Sequence, residues 1–354
     1  MFLSLMTPLA SASEQHNQAE NSSIEPVVYT LDGFEPNSMG KQYLYAEEDG
    51  HSLYSGTRYL KQQWVDDGYP QLTLPFQQTS SRTAGRACES AWSTGETGTV
   101  QTTDGQMSFN VAHVTNNAAF LVATGESVPS AELNAMGSTW ETSIYPTGTT
   151  YFGTPPDQDN NCQIEIMIYG IDGPWDTGGY FMPSIASTRE IMYVDIDDLS
   201  WSETILAHEF QHLLHNARDP FEYLWIDEGS ADMAVFLAFG ASDTIVGHAN
   251  GWATNASCSV RWWNQRTDCD YGAGFLFMLF LADNLGGGAA IQQLVADTRT
   301  GGNGIIHLAQ TRGWSNTPIG DTMSDIFANF TASVALDHST QPEFGLDNIA
   351  GERW

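Results

Sequence analysis

The stretch TILAHEFQHLLH, residues 204–215, sets three histidines and a glutamate in an otherwise apolar run. As a helix it puts His208 and His212 one turn apart on one face, so both imidazoles can reach a single ion at about 2.0–2.1 Å. His215 faces the same way but lies roughly 10 Å further along the axis from His208, badly placed for the same tetrahedron. Near the helix end, its expected partners are the free carbonyls of the last turn. Glu209 sits about 100° around from His208, beside the ion position, where a carboxylate can take a proton from a metal-activated water. Ile205, Leu206, Ala207, Phe210, Leu213 and Leu214 leave little room for a solvated face. Burying a His-Glu-His set is costly unless something pairs with it, and a dication does so.

A catalytic zinc takes three protein ligands and keeps a fourth position for water. The third candidate is Glu228 in WIDEGSADMA, residues 225–234, sixteen residues after His212 on a second expected helix. Asp232 follows one turn later on the same face, where it could accept a hydrogen bond from a ligand histidine and fix its tautomer. HExxH on a helix is a zinc-peptidase signature, and ExxxD at this distance makes it more specific. Ser200 or Ser202 is placed to cap the first helix, with Glu203 in its first turn.

HEFQH with DEGSAD resembles the gluzincin peptidases. The likeness runs further toward the hyicolysin-like secreted metallopeptidases: GGYFMP, REIMYVDID, AHEFQHLLH, WIDEGSAD and YGAGFLFMLFLADNLGG occur in that order, over roughly residues 106–340. The resemblance implies a zincin-like fold, one catalytic Zn2+ on His208, His212 and Glu228, Glu209 as catalytic base, and Asp232 behind the ligands. It implies a secreted zinc endopeptidase acting on protein or peptide substrates. Tyr271, opening a later helix, stands where such families often keep a tyrosine to stabilise an oxyanion; His248 is the alternative. Fifteen residues between HExxH and Glu228 make a shorter connection than in thermolysin-type enzymes. Metzincins need a histidine six residues after His212, where Arg218 stands. TDCDYG, residues 267–272, is similar to part of the aspzincin pattern and offers Asp268 as a rival third ligand, which would leave the Glu228–Asp232 pairing without a role. A catalytically silent, peptidase-like binding or surface protein is the rival from another class. An aminopeptidase lacks a visible motif for gripping a free amino terminus.

Composition limits the alternatives. The 354 residues carry a formal charge of -31 with only 12 Lys and Arg, so nucleic acid and anionic lipid are poor partners. MFLSLMTPLASAS at the start reads as an apolar segment with a small-residue site, although no Lys or Arg precedes it. Export, to the outside of the cell or to a periplasm, follows as the expectation. No run approaches the 18–20 apolar residues of a membrane span. The expected organisation is a signal segment over 1–12, an N-terminal leader with a β-rich accessory part or propeptide over 13–105, and the zincin-like domain over 106–354. Strands before helices argue for an α+β fold, a mixed β-sheet lobe followed by a mainly helical lobe with the cleft between them. Among the cysteines, Cys258 and Cys269 bracket a short loop and are the preferred pair, leaving Cys88 with Cys162. PPDQDNN, residues 155–161, offers Asp157, Asp159 and Asn160 to a Ca2+, but without an EF-hand loop a turn is favoured. ANFT, residues 328–331, holds a glycosylation triplet inside an expected helix. Oligomeric state and substrate preference are not written in any motif.

Overall fold

The computed structural model describes residues 54–68, 88, 90–254, 258–261, 268–314, 320 and 322–336. The signal segment and the strands expected over 26–31 and 70–76 lie outside the described residues. The architecture is α+β: a mixed seven-stranded sheet and ten α-helices among the described residues. The strands are β1 (Tyr54–Ser55), β2 (Thr97–Thr102), β3 (Gly105–Val114), β4 (Ala118–Ala123), β5 (Ile164–Tyr169), β6 (Thr177–Phe181) and β7 (Ile191–Asp195). Their spatial order is β1-β6-β7-β5-β4-β3-β2. β4, β5 and β7 run parallel, β2 and β3 form a hairpin, and β6 runs antiparallel to β7.

Sequence explains most of this sheet. β4, β5 and β7 are buried at every position, as continuous apolar runs covered on both faces should be. One face, with Phe120, Ile166, Ile168, Met192 and Val194, packs into the helical core beside Leu206, Phe210 and Leu213. The other, with Leu121, Met167 and Tyr193, makes a smaller core with Tyr169 and Tyr180. STGETGTVQTTDGQ resolves as the β2–β3 hairpin, with Gly105 at φ 106° after the turn. Strand β2 comes from the N-terminal side of residue 105 yet belongs to this same sheet. Strand β6, seen in sequence only as part of a family-like motif, is too glycine-rich to show a strand pattern.

The helices are α1 (Thr57–Asp66), α2 (Ser130–Thr139), α3 (Tyr145–Tyr151), α4 (Ser202–Asn216), α5 (Leu224–Phe239), α6 (Asp243–Thr254), α7 (Asp268–Leu285), α8 (Gly288–Ala296), α9 (Gly302–Ala309) and α10 (Met323–Leu336). A π-helical turn, Trp140–Ile144, joins α2 to α3 just before Pro146, which cannot donate to the helical ladder. No side chain caps α4, contrary to the expectation for Ser200 or Ser202; the helix grows directly from a 3₁₀ run, Ile196–Trp201. Helix α7 is apolar all round and is buried accordingly. No single helix among the described residues is long and apolar enough to cross a membrane.

Two glycines set the distances that matter. A Cβ on Gly229 of α5 would meet the Gly274 carbonyl oxygen of α7 at 2.8 Å, so these helices touch backbone to backbone. A Cβ on Gly179 of β6 would meet Ile205 of α4 at 2.6 Å, so the strand lies directly over the histidine helix. Disulfides Cys88–Cys162 and Cys258–Cys269 join Cα atoms 5.0 and 6.0 Å apart, the pairing expected from sequence.

Candidate metal centre

His208 and His212 project from one face of α4, and Glu228 meets them from α5; their ligand atoms all lie within 4.8 Å of one another. His208 Nε2 is 3.2 Å from Glu228 Oε2, and His212 Nε2 is 3.5 Å from the same oxygen. Two ligands of a tetrahedral ion at zinc–nitrogen and zinc–oxygen distances stand about 3.4 Å apart. The spacing therefore suits shared coordination better than hydrogen bonding. Both ring nitrogens of His212 and Oε1 of Glu228 are buried with no hydrogen-bond partner, although the His212 nitrogens are near enough to carboxylates for ion pairing. Buried polar atoms in native proteins rarely go unsatisfied, and a cation would satisfy these. The residues present fit a metal ion.

The surrounding acids aim the rings. Asp232 Oδ1 lies 3.1 Å from His208 Nδ1, and its Oδ2 lies 2.7 Å from His248 Nδ1. With Nδ1–H donated to Asp232, His208 directs its Nε2 lone pair at the ion position. Asp227 stands behind the other ring: Oδ2 is 3.3 Å from His212 Nδ1 and accepts from Lys61 Nζ at 2.6 Å. Asp227 Oδ1 is 2.9 Å from His215 Nδ1. His215 is thus a buried partner of Asp227, not a cap for helix carbonyls; the side chain turns inward because a carboxylate waits there.

Electrostatics shows a site whose carboxylates draw positive charge onto the histidines. Burial disfavours the His208 imidazolium, but hydrogen bonds to Asp232 and Glu228 outweigh it and hold the pKa well above the usual histidine value. Burial likewise opposes a charged His212, yet the charges of Asp227 and Glu228 raise it to about 9. Burial pushes Asp232 up, while the His248 charge and the bond to His208 bring it down to about 2. Four buried carboxylates, Glu209, Asp227, Glu228 and Asp232, face two buried cations, Arg58 and Lys61. With both imidazoles neutral, as ligation requires, the shortfall is that of one divalent ion; without an ion, the two imidazoliums make it up.

Glu209 is buried, and its Oε2 accepts from Thr57 Oγ1 at 2.6 Å. Tyr271 lies with its ring 6.1 Å from that of His208 and stacks on His248 at 4.8 Å. Its hydroxyl accepts from Ser55 N at 3.1 Å. Burial, then the charge of Glu228, keeps the Tyr271 phenol well above its ordinary pKa and hence neutral. His248 is buried on α6, so both oxyanion candidates occupy one corner. The Asp268 side chain lies outside the described residues, though its backbone opens α7. Sequence reading missed Asp227, Lys61, Thr57 and Ser55. Only Asp227 left a signal, as the acid beside Glu228 in WIDEGSAD.

Elsewhere, Asp157 and Asp159 converge as the calcium expectation required, joined by Glu190, which that expectation did not include. Asn160 forms the turn at φ 59°. Glu190 accepts from Gln158 N, and Asp159 from Asn161 N and Nδ2, so protein donors already serve these acids and no ion is assigned to them. Asn329 donates to Asp325 O within α10. A larger cavity, about 370 Å³, sits at the far end of α4 among Trp64, Leu213 and Phe221, away from the histidines.

No family model matches the chain. Over 179 residues it is 26% identical to the neutral metalloprotease ShpI of Staphylococcus hyicus, covering 42% of this chain and 41% of that protein. The chain thus spans less than half the length of the relative it matches. That likeness and the His208–His212–Glu228 group together support a distant metallopeptidase relationship.

Proposed function

We propose that the chain is an exported zinc-dependent endopeptidase, with His208, His212 and Glu228 as metal ligands and Glu209 as general base. The observation that carries this reading is the 3.2 and 3.5 Å spacing of two imidazole nitrogens from one Glu228 oxygen. A His₂Glu donor set is typical of zinc hydrolases. Zinc, when bound, supplies Lewis acidity, acidifying water and polarising a carbonyl. Glu209 accepts the attacking water's proton and passes it to the leaving amine. Asp232 holds His208 in its ligating tautomer, and the Asp227 charge, 3.3 Å behind His212 Nδ1, favours a proton on that nitrogen. The Tyr271 hydroxyl, or His248 through its second nitrogen, donates to the developing oxyanion. An extended peptide would pair with the edge of β6, in a cleft between the sheet and the helices. Two disulfides fit an oxidising, extracytoplasmic location.

The test is metal analysis with casein hydrolysis, on intact protein and on protein cut near its N-terminus. One zinc per chain is expected, with hydrolysis stopped by a chelator. Glu209→Gln should keep the zinc and lose roughly 10²–10⁴ in rate. Undiminished turnover in that variant refutes the base assignment, while bound zinc with no turnover in any form favours the binding-protein reading.

A further inference from the structure

Residues 54–66 lie where a substrate would have to bind. Strand β1 pairs with the outer edge of β6: Tyr54 N donates to Asp176 O at 2.9 Å, and Gly56 N to Gly179 O at 2.8 Å. The Ser55 amide occupies the Tyr271 hydroxyl. Thr57 Oγ1 donates to Glu209 Oε2 at 2.6 Å while accepting from Phe181 N at 2.6 Å. Beyond it, α1 buries Arg58, beside the Tyr271 ring, and Lys61, on Asp227. Trp64 then stacks on Phe221 at 6.3 Å. What remains of the cleft among Ser55, Gly179, His208, Glu209 and Tyr271 is a cavity of about 30 Å³, on the order of one water.

Resting on the peptidase reading above, we propose that residues 54–66 are a built-in inhibitor of the metal centre, which must leave before a peptide substrate can enter. Four groups around the metal ligands are occupied: the general base by Thr57, the tyrosine hydroxyl by Ser55, the strand edge by β1, and the carboxylate behind His212 by Lys61. The segment escapes cleavage because it stops being extended at the critical point. The Gly56 carbonyl accepts from Tyr59 N and Leu60 N, so the chain is already helical where a scissile bond would have to lie flat. Charge complementarity makes the fit specific. The chain has only 12 Lys and Arg in 354 residues, and two of them are buried here, Lys61 on the Asp227 carboxylate and Arg58 beside the Tyr271 ring. No disulfide ties the segment down, since no cysteine lies between residue 54 and Cys88, whose bond to Cys162 fixes the downstream chain to the sheet.

The experiment introduces a site-specific protease sequence after Gly68 in the full chain, cuts there, and separates the released segment. The expected result is casein hydrolysis at least about tenfold faster than in the intact protein, reversed by a synthetic peptide of residues 54–68. The same peptide carrying Thr57→Ala should inhibit roughly tenfold less well, having lost a buried hydrogen bond to a carboxylate. Equal activity before and after removal overturns the proposal, and so does a cut protein that loses its zinc or its fold, because the segment would then be part of the working enzyme. If no form hydrolyses casein, it is the peptidase reading that fails, and zinc extraction by 1,10-phenanthroline decides about the segment. Extraction at least about tenfold faster after removal, slowed again by the peptide, supports a cleft-filling segment; unchanged extraction overturns it.

Discussion

Asp232→Asn is the sharpest test of how the site is built, because one carboxylate serves two histidines. Its oxygens lie 3.1 Å from His208 Nδ1 and 2.7 Å from His248 Nδ1, and it is fully buried. Asparagine keeps the volume but can accept with only one atom and must turn an NH₂ toward the other ring. In the zinc form, losing the partner that orients a ligand imidazole typically costs 10–100-fold in affinity, about 1.4–2.7 kcal/mol. In the metal-free form, the Asp232 pKa held at about 2 rather than its ordinary 3.8 is worth on the order of 2–3 kcal/mol. The sign follows from a depressed acid: this stability is present above about pH 4 and lost as pH falls through about 2. Two assays separate the effects, a competitive chelator titration for zinc and urea unfolding of the metal-free protein at pH 7. Zinc affinity within twofold of wild type, alongside abolished binding in His208→Ala, would refute the argument that Asp232 sets the ligating tautomer.

Two further outcomes follow from the charge pattern. His208 and His212 have raised pKa values in the metal-free protein, that of His212 to about 9, so if both bind zinc at pH 7 about two protons should leave; calorimetry in buffers of different ionisation enthalpy counts them, and a count near zero contradicts the proposed ligand set. On the sheet side, burial and then the neighbouring carboxylates Asp159, Asp157 and Glu165 lift Glu190 to about 8, while burial and Glu165 lift Asp159 to about 7 against the pull of Arg189. Stability from these raised acids is present below about pH 4 and lost as pH rises through 7–8, so Tm should fall between pH 5 and 9, and Glu190→Gln should flatten that slope by on the order of 1–3 kcal/mol.

What the sequence made legible was what periodicity and motif spacing encode. The helix at 204–215, the ExxxD carboxylates and the buried strands β4, β5 and β7 follow from apolar runs and one-turn intervals. Residues 54–66 left no such trace. TRYLKQQWVD is polar on average, and the positions it buries are mostly polar, Thr57, Arg58 and Lys61 with Trp64, while Leu60 packs on the smaller core, so too few apolar residues mark the helix. The β6 strand was hidden for a related reason: Gly179 is there because α4 passes too close for a side chain, and glycine carries no strand signal. His215 was misread because helix-end logic is local, whereas its partner Asp227 comes from another helix. Long-range polar contacts leave no periodic mark in a chain.

That difference bears on how the site manages its charge. An isolated buried carboxylate either takes up a proton or finds a cation. Glu209, Asp227, Glu228 and Asp232 are all buried, and with so few basic residues the chain has little to offset them from its own core. Arg58 and Lys61 supply part of the compensation from a segment tied to the rest by hydrogen bonds, ion pairs and packing, and the remainder comes from a divalent ion or, without one, from the protonated His208 and His212. Taking that segment away would uncover carboxylates at the mouth of the cleft and hand their neutralisation to water, to the metal and to whatever peptide enters. The same deficit of positive charge that makes the histidines good partners for a dication also makes the closed form depend on two basic side chains, which ties metal binding and access to the cleft to one electrostatic cause.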